Sequence, residues 1–238
     1  MEDIEAIALL QDPVRRRLYA YVGAQDREVS RNEAAEAAGI QRTLAAFHLD
    51  RMVEAGLLEA VSRRLTGRSG PGAGRPAKLY RRTPGEREVS LPPRDYRTAA
   101  GLLAEAAEAA GLDEELRDAA RAHGKELREE GAAPCRGLEE VAALLERRGY
   151  EPCLDGRLLL MRNCPFHALS ERFPPLVCGM NLALLEGLLE GVEGVRVRIE
   201  AGPGRCCAVV EPADAPADAP ADPQADPLAP GPSKNNGD

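Results

Sequence analysis

The chain has 238 residues, 44% apolar but only 3% aromatic and without tryptophan, so it can form one or two domains with cores of Leu, Val and Ala. Its formal net charge is −8, which at first sight argues against a nucleic-acid partner. No basic segment leads into an apolar run at the start and no window nears ~18 uninterrupted apolar residues, which argues against a secretory leader and a membrane span.

A cytoplasmic protein is the expectation, with its six cysteines reduced or ligating metal rather than paired as disulfides. Basic residues are 28 Arg against 3 Lys, a bias that coding composition alone can produce. The charge is unevenly placed. Residues 1–88 carry 15 basic and 13 acidic side chains, and residues 89–238 carry 16 and 26. Within 61–87 there are eight basic residues and one acidic. Local charge of this kind, not the whole-chain balance, sets the field that phosphates meet.

Residues 2–10 read as a short helix. Asp12-Pro13 reads as N-cap and first position of the next, where proline loses no intrahelical bond. Val14, Leu18, Tyr21 and Val22 form its apolar stripe. Arg15, Arg16 and Arg17 face solvent or DNA phosphates. Ser30 with Glu33 is a capping-box pattern. Ala34, Ala35 and Ala38 allow close helix approach, and Gly39 ends the helix.

The next helix covers about 41–55, with Ala45, Leu49, Met52 and Val53 inward. His48, beside that stripe, reads as packing or hydrogen bonding rather than base contact. Gly56 stops the helix. Leu57-Leu58 starts a strand toward Arg64. TGRSGPGAGRP, residues 66–76, is a Gly/Pro-rich tip, and Lys78 to Thr83 returns.

Two short helices across a tight turn, followed by a basic hairpin, form the layout of a winged helix-turn-helix. Its second helix presents its N-terminal half to the major groove. Arg42, Thr43 and Ala46 are the base-proximal candidates, with Phe47 beside them. Arg68 and Arg75 at the tip are candidates for the adjacent minor groove or the backbone, and Arg63, Arg64, Lys78 and Arg81 are further DNA-binding candidates.

LAAFHLDRMVEAGLL followed by SGPGAGRPAKLYRRT resembles the winged-helix regulators of the arsenic-repressor-like superfamily. Within them it resembles the branch of the iron–sulfur biogenesis repressors. The resemblance covers about 12–84, and GRPAKLY is its most specific part. Gln41 departs from it, because the family places a better capping residue such as Ser there.

Pro84 and Pro92-Pro93 mark a linker. Asp95 to Ala110 is an Ala/Leu-rich helix, and 112–130 a charged one. Leu102, Leu103, Ala106 and Ala110 pack either on a second copy or within the chain. Residues 137–210 read as α+β. A helix spans Leu138 to Arg148, with Leu138, Val141, Leu144 and Leu145 as its stripe. A hairpin turns at Asp155-Gly156. A helix spans Leu176 to Glu190, a strand carries Val195, Val197 and Ile199, and a second strand runs from Cys206 to Val210. Residues 211–238 repeat Pro, Ala and Asp and read as a disordered acidic tail.

Cys153, Cys164, Cys178 and Cys206-Cys207 lie in the C-terminal domain, and Cys135 precedes it. No CxxC occurs, which removes the main support for zinc-ribbon and thioredoxin readings. Cys164 follows a strand end. Cys178 lies near a helix start, where the helix dipole favours thiolate. Cys206 and Cys207, read as strand neighbours, point to opposite faces, so one of the pair joins any site. Three such thiolates can hold an iron–sulfur cluster, or zinc, or be small buried hydrophobes. The resemblance implies cluster ligation by Cys164, Cys178 and Cys206 or Cys207, with Cys153 or His167 as fourth ligand.

No Gly-rich phosphate loop or GxSxG occurs, and Cys164 with His167 lacks an orienting third group, so an enzyme is not expected. The fold class expected is α+β. It comprises a winged helix-turn-helix over 1–88, linker and central dimerisation helices over 89–134, a sensor domain over 135–210 and a tail over 211–238. The function expected is a homodimeric, sequence-specific regulator on double-stranded DNA with a cysteine-based redox or iron–sulfur sensor. The alternatives are a metal-free regulator that binds a small molecule, and a winged-helix protein-interaction module.

Overall fold

The computed structural model describes residues 2–25, 27–63, 76–129, 137–200 and 205–214. They fall into two compact units, residues 1–94 and 95–238.

The first unit begins with α1 (Glu2–Leu9) and α2 (Pro13–Gly23). Asp12 caps α2, accepting from the backbone N–H of Val14 at 2.7 Å and of Arg15 at 3.1 Å. These bonds occupy donors that the first helical turn cannot pair internally. α3 (Arg31–Ala38) carries the full reciprocal capping box of Ser30 and Glu33 and ends at Gly39, whose φ is 64°. α4 (Arg42–Glu54) follows directly, and its N-cap Gln41 makes no side-chain cap bond. Leu18, Val22, Ala34, Ala35, Ala45, Leu49, Met52 and Tyr80 form the core under these helices. Each large apolar side chain buried there contributes about 1.5–3 kcal/mol of transfer free energy.

β2 (Leu58–Arg63) and β3 (Ala77–Arg82) make the wing hairpin, in register from Leu58 opposite Arg82 to Arg63 opposite Ala77. A two-residue strand, β1 (Val29–Ser30), pairs with the other edge of β3 and gives the order β1-β3-β2. Two residues are too few to show a period, so β1 is absent from the sequence reading. Arg64, Arg68 and Arg75 lie outside the described residues.

The second unit opens with α5 (Tyr96–Ala110), capped by Asp95, and α6 (Asp113–Glu129). α6 lies along α9 (Pro174–Leu188). Glycine permits that crossing. A methyl group at Gly124 would overlap the Leu184 carbonyl, and one at Gly187 would overlap the Arg121 carbonyl. The helices read in sequence as a separate central segment thus share a compact unit with the cysteine-bearing elements. Leu102, Leu103, Ala106 and Ala110 are all exposed, so none belongs to an intrachain core.

α7 (Leu138–Glu146), α9 and a four-stranded antiparallel sheet enclose the main core. The sheet comprises β4 (Pro152–Asp155), β5 (Leu158–Met161), β6 (Val195–Ile199) and β7 (Ala208–Pro212), in the order β4-β5-β7-β6. A short helix, α8 (His167–Ser170), precedes α9. β7 begins at Ala208, not Cys206, and runs on into the stretch read as tail. Glu211 is 1% exposed on that strand, bonded by Arg196 Nε and Arg198 Nε at 2.7 Å each. A carboxylate taken from water in this way needs such partners. The remaining tail residues from 215 lie outside the described residues.

Candidate functional site

Two sites take shape, one in each unit. In the first, the buried stripe of α4 is Ala45, His48, Leu49 and Met52, which leaves the opposite face to solvent. Arg42, Thr43, Leu44 and Phe47 are exposed there, and Phe47 is 58% exposed. Ala46 is half-buried. Arg42 makes no ion pair among the described residues.

Farther along α4, Asp50 is the centre of a polar knot. Lys78 Nζ and the Tyr80 hydroxyl each donate to it at 2.7 Å, and Arg31 Nε donates to the Tyr80 hydroxyl at 2.8 Å. This knot ties α3 and α4 to the wing strand β3. Burial opposes the Asp50 charge, but Lys78 and Tyr80 outweigh it and hold the carboxyl below its ordinary value. Burial and the Asp50 carboxylate push the Tyr80 hydroxyl up to about 12.

The basic wing residues are less free than the sequence suggests. Lys78 is held by Asp50, Arg81 by Glu59 at 2.5 Å, and Arg63 by Glu28 at 3.0 Å. Exposed pairs of this kind are weak, so phosphates can compete for Arg81 and Arg63. His48 is 7% exposed and packs in the core, as expected.

Residues 9–61 match the family model of a helix-turn-helix domain. This stretch is a helix-turn-helix DNA-binding domain of the winged-helix type. No curated protein and no solved structure matches the chain. The match ends before the wing returns, and β2 and β3 complete the winged form. A DNA-binding regulator is the function that this domain supports.

The second site collects four sulfurs from three segments. Cys164 lies in the turn after β5, Cys178 lies within α9, and Cys206 and Cys207 precede β7. The Cys206 N–H donates to the Met161 carbonyl at 2.8 Å, which brings that segment beside the turn holding Cys164. Cys164 faces Cys206, Cys206 adjoins Cys207, and Cys207 faces Cys178. Cys206 and Cys207 precede β7 rather than lying on it, with Cys206 set against Cys164 and Cys207 against Cys178.

Asn181, 1% exposed, connects the sulfurs to the core. Its amide donates to Cys206 Sγ at 3.4 Å, and its carbonyl accepts from the Tyr150 hydroxyl at 2.5 Å. Pairing with the Cys164 thiol brings Cys206 down to about 6 against the cost of burial, helped by the Ala208 N–H and Asn181. The same pairing, with burial, pushes Cys164 up. Burial and Cys178 push Cys207 up to about 12. Tyr150 is raised by burial and by the sulfurs' negative charge. Thiolate character is therefore concentrated at Cys206.

His167 is exposed and its Nε2 lies 3.5 Å from Glu171. Cys153 is on β4, its sulfur against the Leu154 carbonyl at 3.7 Å. Among the described residues no three His, Cys, Asp or Glu side chains form a ready cage for an ion. The sulfurs form a chain of neighbours rather than a shell around one centre. Asn181 and Tyr150 had no sequence signal, since Asn181 reads as an isolated polar residue in an apolar helix and Tyr150 as the start of a strand.

Among the described residues no helix is long and apolar enough to cross a membrane.

Proposed function

We propose that the chain is a sequence-specific transcriptional regulator whose C-terminal unit senses redox state or iron–sulfur supply through Cys164, Cys178, Cys206 and Cys207. One observation carries this reading. Four thiols from three segments lie as a chain of neighbours inside the unit that accompanies a DNA-binding domain. The donor chemistry fits an iron–sulfur cluster, because all four donors are soft sulfurs, with zinc as the other metal of that preference. When bound, such a cluster supplies an oxygen-labile crosslink among the three segments.

This chain's own residues do the rest. Asn181 orients Cys206, and the β5–β7 ladder holds Cys206 and Cys207 beside Cys164. The exposed apolar face of α5, with Tyr96, Leu102, Leu103, Ala106 and Ala110, takes a second copy. The two copies then address paired half-sites. Ordering of the cysteine segments biases that pairing, and a coupling of ~1–3 kcal/mol changes DNA affinity about 5–150-fold.

The thiolate at Cys206 beside the Cys164 thiol favours a second, metal-free reading. A peroxide transfers oxygen to the Cys206 thiolate and releases hydroxide. The Cys164 thiol then displaces water from the sulfenic acid to form a disulfide.

Anaerobic reconstitution with iron and sulfide separates the two readings. Wild type and Cys153→Ser are expected to load and gain visible absorbance, whereas Ser at 164, 178, 206 or 207 weakens loading. Loading that is indifferent to all four removes the site. Wild type that binds neither iron nor zinc, yet forms a Cys164–Cys206 disulfide with peroxide, leaves the redox switch.

A further inference from the structure

The outward face of α4 carries less polar chemistry than a base-reading helix needs. Asp50 is occupied by Lys78, Tyr80 and Arg31, and Arg51 is paired with Glu54 at 3.0 Å. Arg42 and Thr43 remain at the N-terminus, followed one turn later by Phe47. Phe47 lies opposite the buried stripe of Ala45, Leu49 and Met52. Leu44, 43% exposed, flanks it.

The Phe47 ring is not loose. His48, buried beneath it, meets it edge to face with centroids 5.5 Å apart and planes at 65°. A large apolar ring is thus held in solvent at the middle of the surface that enters the groove. Among the described residues the ring stays 58% exposed, and leaving it wet gains no stability.

Base-pair edges in the major groove offer donors, acceptors and one apolar group, the C5-methyl of thymine. A ring with no hydrogen-bonding capacity can discriminate through that group alone. We infer that Phe47, flanked by Leu44, reads the thymine methyl in each half-site, one helical turn from the base pair met by Arg42. This inference rests on the DNA-reading function proposed above and assigns its apolar specificity.

The test uses the full chain and a random-sequence duplex pool to select a bound consensus. Single thymines in the selected duplex are then replaced by deoxyuridine, which removes only the methyl. At one position per half-site, wild type is expected to lose about fourfold in affinity, the transfer value of one buried methyl. Phe47→Ala is expected to bind the thymine duplex correspondingly more weakly and to be indifferent to the replacement. Phe47→Leu should retain part of the discrimination. Since Phe47 is mostly exposed, both variants should unfold like wild type.

A consensus in which no single methyl matters, or a methyl penalty that persists in Phe47→Ala, overturns the assignment while leaving DNA binding intact. A pool that enriches no sequence overturns the DNA-reading function and the assignment with it.

Discussion

The two units solve the same problem, satisfying buried polar groups, at different ranges along the chain. In the N-terminal unit the helix ends are closed by neighbours in sequence, Asp12 by Val14 and Arg15 and Ser30 by Glu33, although the Asp50–Tyr80–Arg31 knot is long-range there as well. In the C-terminal unit the partners are far apart. Tyr150 meets Asn181, Asn181 meets Cys206, and Arg196 meets Glu211. A helix-turn-helix built on local rules can fold and be recognised from a short stretch. A site built on long-range convergence exists only when its whole unit is folded, which suits it to sensing.

The sharpest way to break this contrast is at the α6–α9 crossing. Gly187→Val places a branched side chain against the Arg121 backbone, where the neighbour is carbonyl rather than a movable side chain. The expected loss is about 3 kcal/mol, at the upper end for overpacking. Hydrogen exchange on the full chain should show lost protection in α6 and α9 with α3 and α4 unchanged. Loss of protection in all four helices would mean that the units do not fold separately.

Next in size is Glu211→Ala. It strands two guanidiniums that still reach water, so about 2 kcal/mol is expected rather than the larger cost of a fully buried pair. Acid dependence gives the same group a second test. Burial opposes its charge, but Arg198 and Arg196 outweigh burial and hold the carboxyl below its ordinary 4.5. A depressed carboxyl contributes stability that is present above pH 4.5 and is lost as pH falls through the lowered folded value. Glu211→Gln should flatten that acid limb in a urea-denaturation series across pH. An unchanged limb would assign acid sensitivity to other carboxylates.

Asn181→Leu keeps the heavy-atom count and branching but removes the acceptor of Tyr150 and a donor to Cys206. About 2 kcal/mol is expected from the stranded hydroxyl. The ultraviolet thiolate titration assigned to Cys206 should move up from about 6. The smallest effect belongs to the N-terminal unit. Ser30→Ala removes one half of a capping box and should cost about 1 kcal/mol by thermal unfolding, with the cysteine titration unmoved.

The sequence was most legible where structure follows from neighbours. The caps at Asp12 and Ser30, the stop at Gly39 and the turn at Asp155-Gly156 all follow from local backbone chemistry. β7 starts at Ala208 rather than Cys206, because β-propensity does not fix where pairing begins. Glu211 was misread as tail because its Pro/Ala/Asp context has the composition of disorder, whereas its partners Arg196 and Arg198 come from another strand. The Asp50–Tyr80–Arg31 knot was invisible for the same reason, since it joins three elements whose relation only the fold creates.

The central claim is that occupancy of the cysteine site in one unit controls DNA binding by the other. Its most direct test is the affinity of the full chain for a selected duplex, measured anaerobically before and after reconstitution with iron and sulfide. The account predicts a change of about 5–150-fold that Cys206→Ser abolishes. Full loading with an unchanged affinity would contradict it.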